Sequence, residues 1–403
     1  MTGPLVPWDD ARSEAHRLGA ERSRPGRATA LAEAAGLVLA ADARAATDLP
    51  AIDVSAMDGW VVSGDEPWSI GPPIRMGEPP GTELAPGSAR PVTTGGAVPP
   101  GATEVLRSED GDAGGGTLRR APGAGRGRPG RHVRRRGEEL AAGDLLVAVG
   151  ARLTPPRVSL LAVAGLDEVL VRPRPRCLLI VTGDEVRGSG IPGAGTVRDA
   201  YTPSLPALID ELGGELVRSA RSGDAPGELA GLLCDAEADG VDLVLTTGGT
   251  ARGHGDRLRE ALGALDARIV VPGLRARPGH PTLLARMPGG TAVLGLPGNP
   301  LAAFTSLCAL LGPFLAGVAG GPVPEPLPLP SSTAAAAGVE PHAEDTLVVP
   351  VHRVDGGLEA TAWRGAAMLR GLAGADGLLV VAPGGASVRL LPLPWVGGSG
   401  HAR

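Results

Sequence analysis

Between residues 176 and 296 four short apolar runs alternate with helix-like stretches, and three of the runs close on turns of glycine and small polar residues. The runs are 176–181, 216–220, 241–245 and 291–296. The three turns are Thr182-Gly-Asp-Glu185, Thr246-Thr-Gly-Gly249 and Pro297-Gly-Asn-Pro300. Helical spacing is clearest in 203–212, where Leu205, Leu208, Ile209 and Leu212 recur every three to four residues; 226–237 and 257–265 follow the same pattern. Strands separated by helices of this length cannot pair as hairpins. They specify an open, mainly parallel α/β sheet, whose carboxyl-end turns line one crevice.

The last of these turns holds the chain's only asparagine, Asn299, in a sequence without lysine or glutamine. Pro297 and Pro300 fix φ, Gly298 is free to take positive φ, and asparagine bonds readily to nearby backbone. A plain structural turn and a ligand-binding turn both fit this local chemistry.

Around this central region the pattern changes. Residues 7–20 read as a helix with Asp9 and Asp10 near its positive end. Residues 28–41 read as a second helix, and 51–62 as an extended segment. A turn-rich stretch reaches 145, and within it 113–128 is nearly all Gly, Ala, Arg and Pro, read as a surface loop. A helix opens at Thr154, with proline in its first turn, and runs to 164. Residues 322–330 alternate proline with other residues and read as a stiff linker. The short runs 346–354, 358–363, 377–381 and 388–391 then predict a small β-barrel or sandwich.

Composition excludes several classes. Aromatics make up 2% of the chain, so the core must be aliphatic and alanine-rich. The formal charge of −6 argues against a general nucleic-acid binder. Cys177, Cys234 and Cys308 show no metal spacing and lie in apolar contexts, a reduced intracellular pattern. The first residues carry no export signal, so a cytoplasmic protein is expected. Residues 301–321 are uncharged but centre on Gly312-Pro313 and lack flanking basic anchors. They read as a buried core helix rather than a membrane span.

Glycine turns after strands expose N–H groups that can cradle phosphate. Asp58, in Ser55-Ala-Met-Asp-Gly59, is an acid in a region with few charges. Asp256 is placed equally well for chemistry and for capping the helix that follows. Glu138 and Glu139 follow the basic run Arg131-His-Val-Arg-Arg-Arg136, which reads as a solvated or anion-facing loop. Separated carboxylates with phosphate-binding turns suit a divalent cation and a nucleotide-like substrate. Arg275, Arg277 and His280 add positive charge around Pro278-Gly279.

In order along the chain, several stretches resemble the molybdopterin molybdenumtransferases, the bacterial MoeA and gephyrin E-domain family. They are Asp48-Leu-Pro-Ala-Ile-Asp-Val-Ser-Ala-Met-Asp-Gly59, Thr93-Thr-Gly-Gly-Ala-Val-Pro-Pro-Gly-Ala102, Arg134-Arg-Arg-Gly-Glu-Glu139, Gly150-Ala-Arg-Leu-Thr154, Val181-Thr-Gly-Asp-Glu185, Thr246-Thr-Gly-Gly249 with Asp256, and Gly295-Leu-Pro-Gly-Asn-Pro300. The resemblance runs from about residue 8 to 395. It implies a multidomain α/β plus β fold: a split helical and extended stalk (1–49 and 146–174), an inserted mostly-β domain (50–145), a molybdopterin-binding-type α/β domain with a mainly parallel sheet (175–321) and a C-terminal β-barrel (322–403). It also implies a cytoplasmic homodimer that inserts molybdate into adenylylated molybdopterin and releases AMP with the help of Mg2+.

By the same resemblance Asp58, Glu139 and Asp256 are catalytic and metal-binding, with Asp58 reaching the site from the partner subunit. Thr182, Gly183, Asp184, Glu185, Asp199, Thr246, Thr247, Gly248, Gly249, Pro297, Gly298 and Asn299 bind the pterin and its phosphate, and Arg277 and His280 hold molybdate or phosphate. A molybdopterin adenylyltransferase and molybdoenzyme acceptors are the implied partners; neither nucleic acid nor membrane is.

Four motifs depart from the family pattern. Gly-Glu-Asp appears as Gly137-Glu-Glu139, and Asp-Ser-Asn as Asp199-Ala-Tyr201. The serine of Gly-Gly-Val-Ser-x-Gly is Ala251. Lys-Pro-Gly-Lys-Pro is Arg277-Pro-Gly-His-Pro281, and a histidine there is mostly neutral near pH 7 unless an acidic neighbour supports its charge. These changes leave open a divergent paralogue that acts as a molybdopterin carrier or scaffold, or an enzyme that prefers another oxyanion such as tungstate.

Overall fold

The computed structural model describes residues 3–249 and 256–396. The chain divides into two compact units, one comprising Met1–Arg27, Gly36–Ala40 and Val171–Arg403, the other Ala28–Ala35 and Ala41–Leu170.

The first unit is built on a six-stranded sheet. Its strands are β1 (Arg176–Thr182), β2 (Glu215–Ser222), β3 (Leu243–Thr247), β4 (Arg268–Val271), β5 (Leu283–Arg286) and β6 (Ala292–Leu296). Their spatial order is β2-β1-β3-β6-β5-β4. The first four in that order are mutually parallel, and β5 and β4 extend the sheet antiparallel. The expected alternation is therefore present, but β4 and β5 were not among the predicted strands, and they make the sheet mixed.

Period-2 alternation fills both faces. Cys177, Leu179 and Val181 enter one core with Leu243, Leu245, Leu294 and Leu296, whereas Leu178, Ile180, Val244 and Val293 enter the other. Strands buried on both faces read as continuous apolar runs, which is why they are conspicuous in the sequence. Because β2 and β3 lie on opposite sides of β1, the chain reverses its direction of winding there. The carboxyl ends of β1 and β3 thus flank a natural crevice.

Helices α1 (Trp8–Ala20), α2 (Leu205–Glu211), α3 (Glu228–Ala238), α4 (Arg257–Ala264) and α5 (Pro300–Val318) cover the sheet. The uncharged stretch after Asn299 is α5, and most of it is buried inside the unit, as a core helix should be. Helix α1 packs along it at glycine contacts: a Cβ at Gly317 would lie 2.2 Å from the His16 carbonyl, and one at Gly19 would lie 2.1 Å from that of Phe314. Buried Arg12 donates to the Ala309 carbonyl at 3.1 Å, and His16 Nε2 lies 2.8 Å from the Gly321 carbonyl.

A second sheet in this unit runs through Val6–Pro7, Leu274–Arg277, Thr346–Val354, Gly377–Val381, Val388–Pro392 and Leu327–Leu329, with Gly357–Ala360 on Thr346–Val354. Among the described residues this path is open at both ends. The segment expected to be only a linker supplies its edge strand, Leu327–Leu329, a position that tolerates proline.

The second unit contains a six-stranded sheet in the order Gly111–Gly114, Thr117–Arg120, Trp68–Ile70, Ser88–Val92, Gly59–Ser63, Glu104–Arg107. Two sequence expectations fail locally. Residues 28–41 form no long helix: 28–30 lie in the strand Arg27–Ala30, and the helix is only Leu31–Ala34, ending where Ala35 turns extended and Gly36 takes a φ of +82°. The segment 113–128 is only partly loop: Gly115 and Gly116 both take positive φ and close a hairpin, as two-residue primed turns require.

Replacing Gly317 with alanine should destabilise the chain by about 1–3 kcal/mol, since the new Cβ meets backbone that cannot rotate away. Chemical denaturation checks this; an unchanged midpoint would show that α1 is not tightly docked.

Candidate functional site

The turns at the carboxyl edge of the first sheet open onto two clefts. One, of about 690 Å3, is lined by Thr182, Gly183 and Glu185 after β1, by Ser222, Gly223 and Asp224 after β2, by Gly248 and Gly249 after β3, and by the first turns of α3 and α4. Gly183, Gly248 and Gly249 all have positive φ, so these turns use conformations that other residues adopt at a cost. Helix amino termini and bare backbone at such turns favour anions. The Thr182 hydroxyl bonds the Thr247 carbonyl and ties the two turns together. Thr246 and Thr247 are buried, so this segment presents to the cleft its glycine backbone rather than its hydroxyls.

Asp256 lines the same cleft, but it is also the cap of α4, accepting the Arg259 amide at 3.1 Å with Arg259 Nε 2.7 Å from its second oxygen. Burial pushes this carboxyl above its ordinary value, against the Arg259 amide and guanidinium, which pull it down. Two other predicted ligands have local duties. Asp184 lies 3.3 Å from the Asp224 amide. Asp199 is buried and accepts the amides of Tyr201 and Thr202 and the Thr202 hydroxyl, at 2.9, 3.1 and 2.6 Å. Thr250, Ala251 and Gly253 lie outside the described residues.

The third predicted turn adjoins the first cleft but opens on another. A Cβ at Gly298 would lie 3.9 Å from Gly248 Cα. Pro297 and Asn299 line a second cleft of about 550 Å3 with Arg277, Pro278, His280 and Arg364. Three basic side chains therefore face one hollow. Arg277 Nε and His280 Nε2 lie 2.6 and 3.0 Å from the two oxygens of Asp345, a buried carboxylate. Arg364 and Asp345 were missed in the sequence, since both sit in segments with no motif around them.

Asp58 and Glu139 belong to the second unit. Asp58 accepts the Thr94 amide and hydroxyl at 2.6 and 2.9 Å, and these bonds hold its carboxyl below the ordinary value. Glu139 pairs with Arg134 at 3.2 Å; Arg135 and Arg136 pair with Asp53 and Asp48, each at 2.5 Å. The basic run is thus balanced by acids within its own unit. Carboxylates such as Glu185, Asp224, Asp256 and Glu260 are the oxygen donors that Mg2+ takes. Among the described residues no three His, Cys, Asp or Glu side chains are grouped to hold a metal, so an ion here would also need phosphate oxygens.

An N-terminal segment, residues 6–165, matches the MoeA N-terminal region (domain I and II), and residues 178–317 match a probable molybdopterin binding domain. These two matched regions mark a MoeA-type protein. A molybdopterin molybdenumtransferase 2 from Mycobacterium tuberculosis is 33% identical over 73% of this chain and 75% of its own length. The molybdopterin molybdenumtransferase of Synechococcus elongatus is 32% identical over 71% and 73%. The solved structure of a molybdopterin biosynthesis MoeA protein from Pyrococcus horikoshii shares the fold, with a TM-score of 0.74 at 23% identity over 96% of this chain and 97% of that one. The chain belongs to the molybdopterin molybdenumtransferase family, a family of transferases in molybdenum cofactor biosynthesis.

Because the folded site raises the Asp256 pKa, its stabilising contribution is largest below the ordinary carboxylate range and is lost as pH rises through the raised value. Asp256→Asn keeps a capping oxygen and should be no less stable than the wild type at neutral pH, whereas Asp256→Ala should lose about 0.5–2 kcal/mol. Thermal melts at acid and neutral pH check the sign.

Proposed function

We propose that this chain inserts molybdate into adenylylated molybdopterin and releases AMP. The observation that carries this reading is the pair of adjoining clefts: one offers glycine turns and carboxylates, and the other gathers Arg277, His280 and Arg364. The first suits the pterin phosphate and the adenylate. The second suits a tetrahedral oxyanion such as molybdate, because guanidinium groups match oxyanion geometry. Water attacks the phosphoanhydride phosphorus and AMP leaves on the broken P–O bond; the two dithiolene thiols then bond molybdenum, and their protons leave with one molybdate oxygen as water.

In this reading Thr182, Gly183, Gly248 and Gly249 orient the phosphates through their backbone, and Asp256 faces the bond that breaks. A bound Mg2+ would neutralise phosphate oxygens beside Asp256. Asp58 would act from a second copy of the chain in a homodimer, which makes assembly a condition of activity, and Glu139 would add a carboxylate to the metal or adenylate chemistry.

One observation favours a second reading, that the protein carries molybdopterin without turning it over. Both Asp256 oxygens already lie against Arg259, so the residue can be accounted for as a cap alone. Purified protein given adenylylated molybdopterin, molybdate and Mg2+ should release AMP, and Asp256→Asn should lower that rate at least ~10-fold while remaining folded. Tight molybdopterin binding without AMP release, unchanged in Asp256→Asn, would support the carrier instead. Competition between molybdate and tungstate in the same assay identifies the preferred oxyanion.

A further inference from the structure

We propose that Asp345 is the positioning residue of the basic cleft, acting through Arg277 and His280 from behind it. The inference rests on the reading above that this cleft takes an oxyanion. Asp345 is 5% exposed and does not line the cleft; it faces a neighbouring hollow with Pro4, Leu5, Arg275 and Glu344. Arg277 and His280 line the cleft, and each also reaches back to one oxygen of this carboxylate.

The turn between them is held in place. Thr282 donates its amide and hydroxyl to the Gly279 carbonyl at 2.9 and 2.6 Å, and Thr305 donates to that of Pro278 at 3.3 Å. Gly279 has a φ of +136° and lies close to the Ser306 hydroxyl, so the loop leaves little room for rearrangement. Two donors on either side of a rigid Pro-Gly turn thus converge on one acceptor.

The chemistry of that acceptor decides how His280 is presented. Burial works to raise the Asp345 carboxyl, but the His280 and Arg277 hydrogen bonds outweigh it and hold the group below its ordinary value. An ionised carboxylate only accepts, so His280 must donate from Nε2, and its Nδ1 can meet an oxyanion as a donor only in the doubly protonated ring, the form a neighbouring carboxylate favours. Arg277 is held at Nε, and its two terminal amino groups remain for bidentate contact with an oxyanion. His342 lies 3.4 Å from the same carboxylate, but its Nδ1 accepts the amides of Glu344 and Asp345 and so does not compete as a donor there.

Asp345→Asn tests the idea, because an amide offers one acceptor oxygen to two donors, whereas Asp345→Glu keeps both oxygens. Titration calorimetry with sodium molybdate on the full-length chain should show about 10-fold weaker binding for Asp345→Asn and partial recovery for Asp345→Glu, the loss of roughly one charge-assisted hydrogen bond. In the AMP-release assay KM for molybdate should rise while kcat changes less than about 2-fold. Nitrogen-15 spectra of the imidazole rings, with His280→Asn used for assignment, should show Nε2 protonated in the wild type and a tautomer mixture in Asp345→Asn.

A folded Asp345→Asn protein that binds molybdate like the wild type and keeps the same His280 tautomer would overturn the proposal. If neither the wild type nor Arg277→Ala binds molybdate, the oxyanion reading of the cleft fails. The nitrogen spectra then still decide whether Asp345 sets the ring.

Discussion

The parallel block β2-β1-β3-β6 is the constraint on which the rest of the first unit depends. Strands β1, β3 and β6 are covered on both faces, so their ends cannot shift independently without opening one core or the other. Each strand delivers its following turn to a set height at the sheet edge. The glycines at 183, 248 and 249 make those turns tight enough to leave backbone exposed. The glycine cleft is therefore framed by turn backbone that the core positions, whereas the basic cleft takes its character from the side chains of Arg277, His280 and Arg364.

The same edge separates two kinds of chemistry. Next to Gly248 the turn at 297–300 faces away from the glycine cleft and into the basic one, so a single βα turn forms the wall between them. In the function proposed, adjacent sites of different character would hold one substrate by its phosphate while an anion approaches from the side. Proximity of this sort converts a bimolecular encounter into a positioned one. Asn299, whose chemistry in the sequence fitted either a turn or a ligand site, stands at that wall and lines the basic cleft.

Much of this was legible in the sequence where strands are buried on both sides, because such strands write continuous apolar runs. The alternation from Arg176 to Leu296, the core helix after Asn299 and the turn at Thr182 were all visible in that way. Elements β4 and β5 were not, since Arg268-Ile-Val-Val271 and Leu283-Leu-Ala-Arg286 are four residues each and are set among Gly, Pro and Arg. The hairpin at Gly115-Gly116 was hidden by composition, which marks flexible loops and primed turns alike. At the site, Asp184 was read from its glycine turn and Asp199 from the resemblance alone; what the sequence could not show is that Asp184 lies against the Asp224 amide and that Asp199 accepts the Tyr201 and Thr202 amides. Asp345 was invisible for the opposite reason: it lies 65 residues from His280 in sequence and meets it only in the fold.

The central claim is that phosphate and oxyanion occupy separate, adjoining clefts in one unit. Crystals soaked with AMP and molybdate, with data collected at the molybdenum absorption edge, test it directly. The account predicts an anomalous peak against Arg277, His280 and Arg364, and AMP phosphate density against Gly183, Gly248 and Gly249. Molybdenum in the glycine cleft, or AMP phosphate displacing it from the arginines, would contradict it.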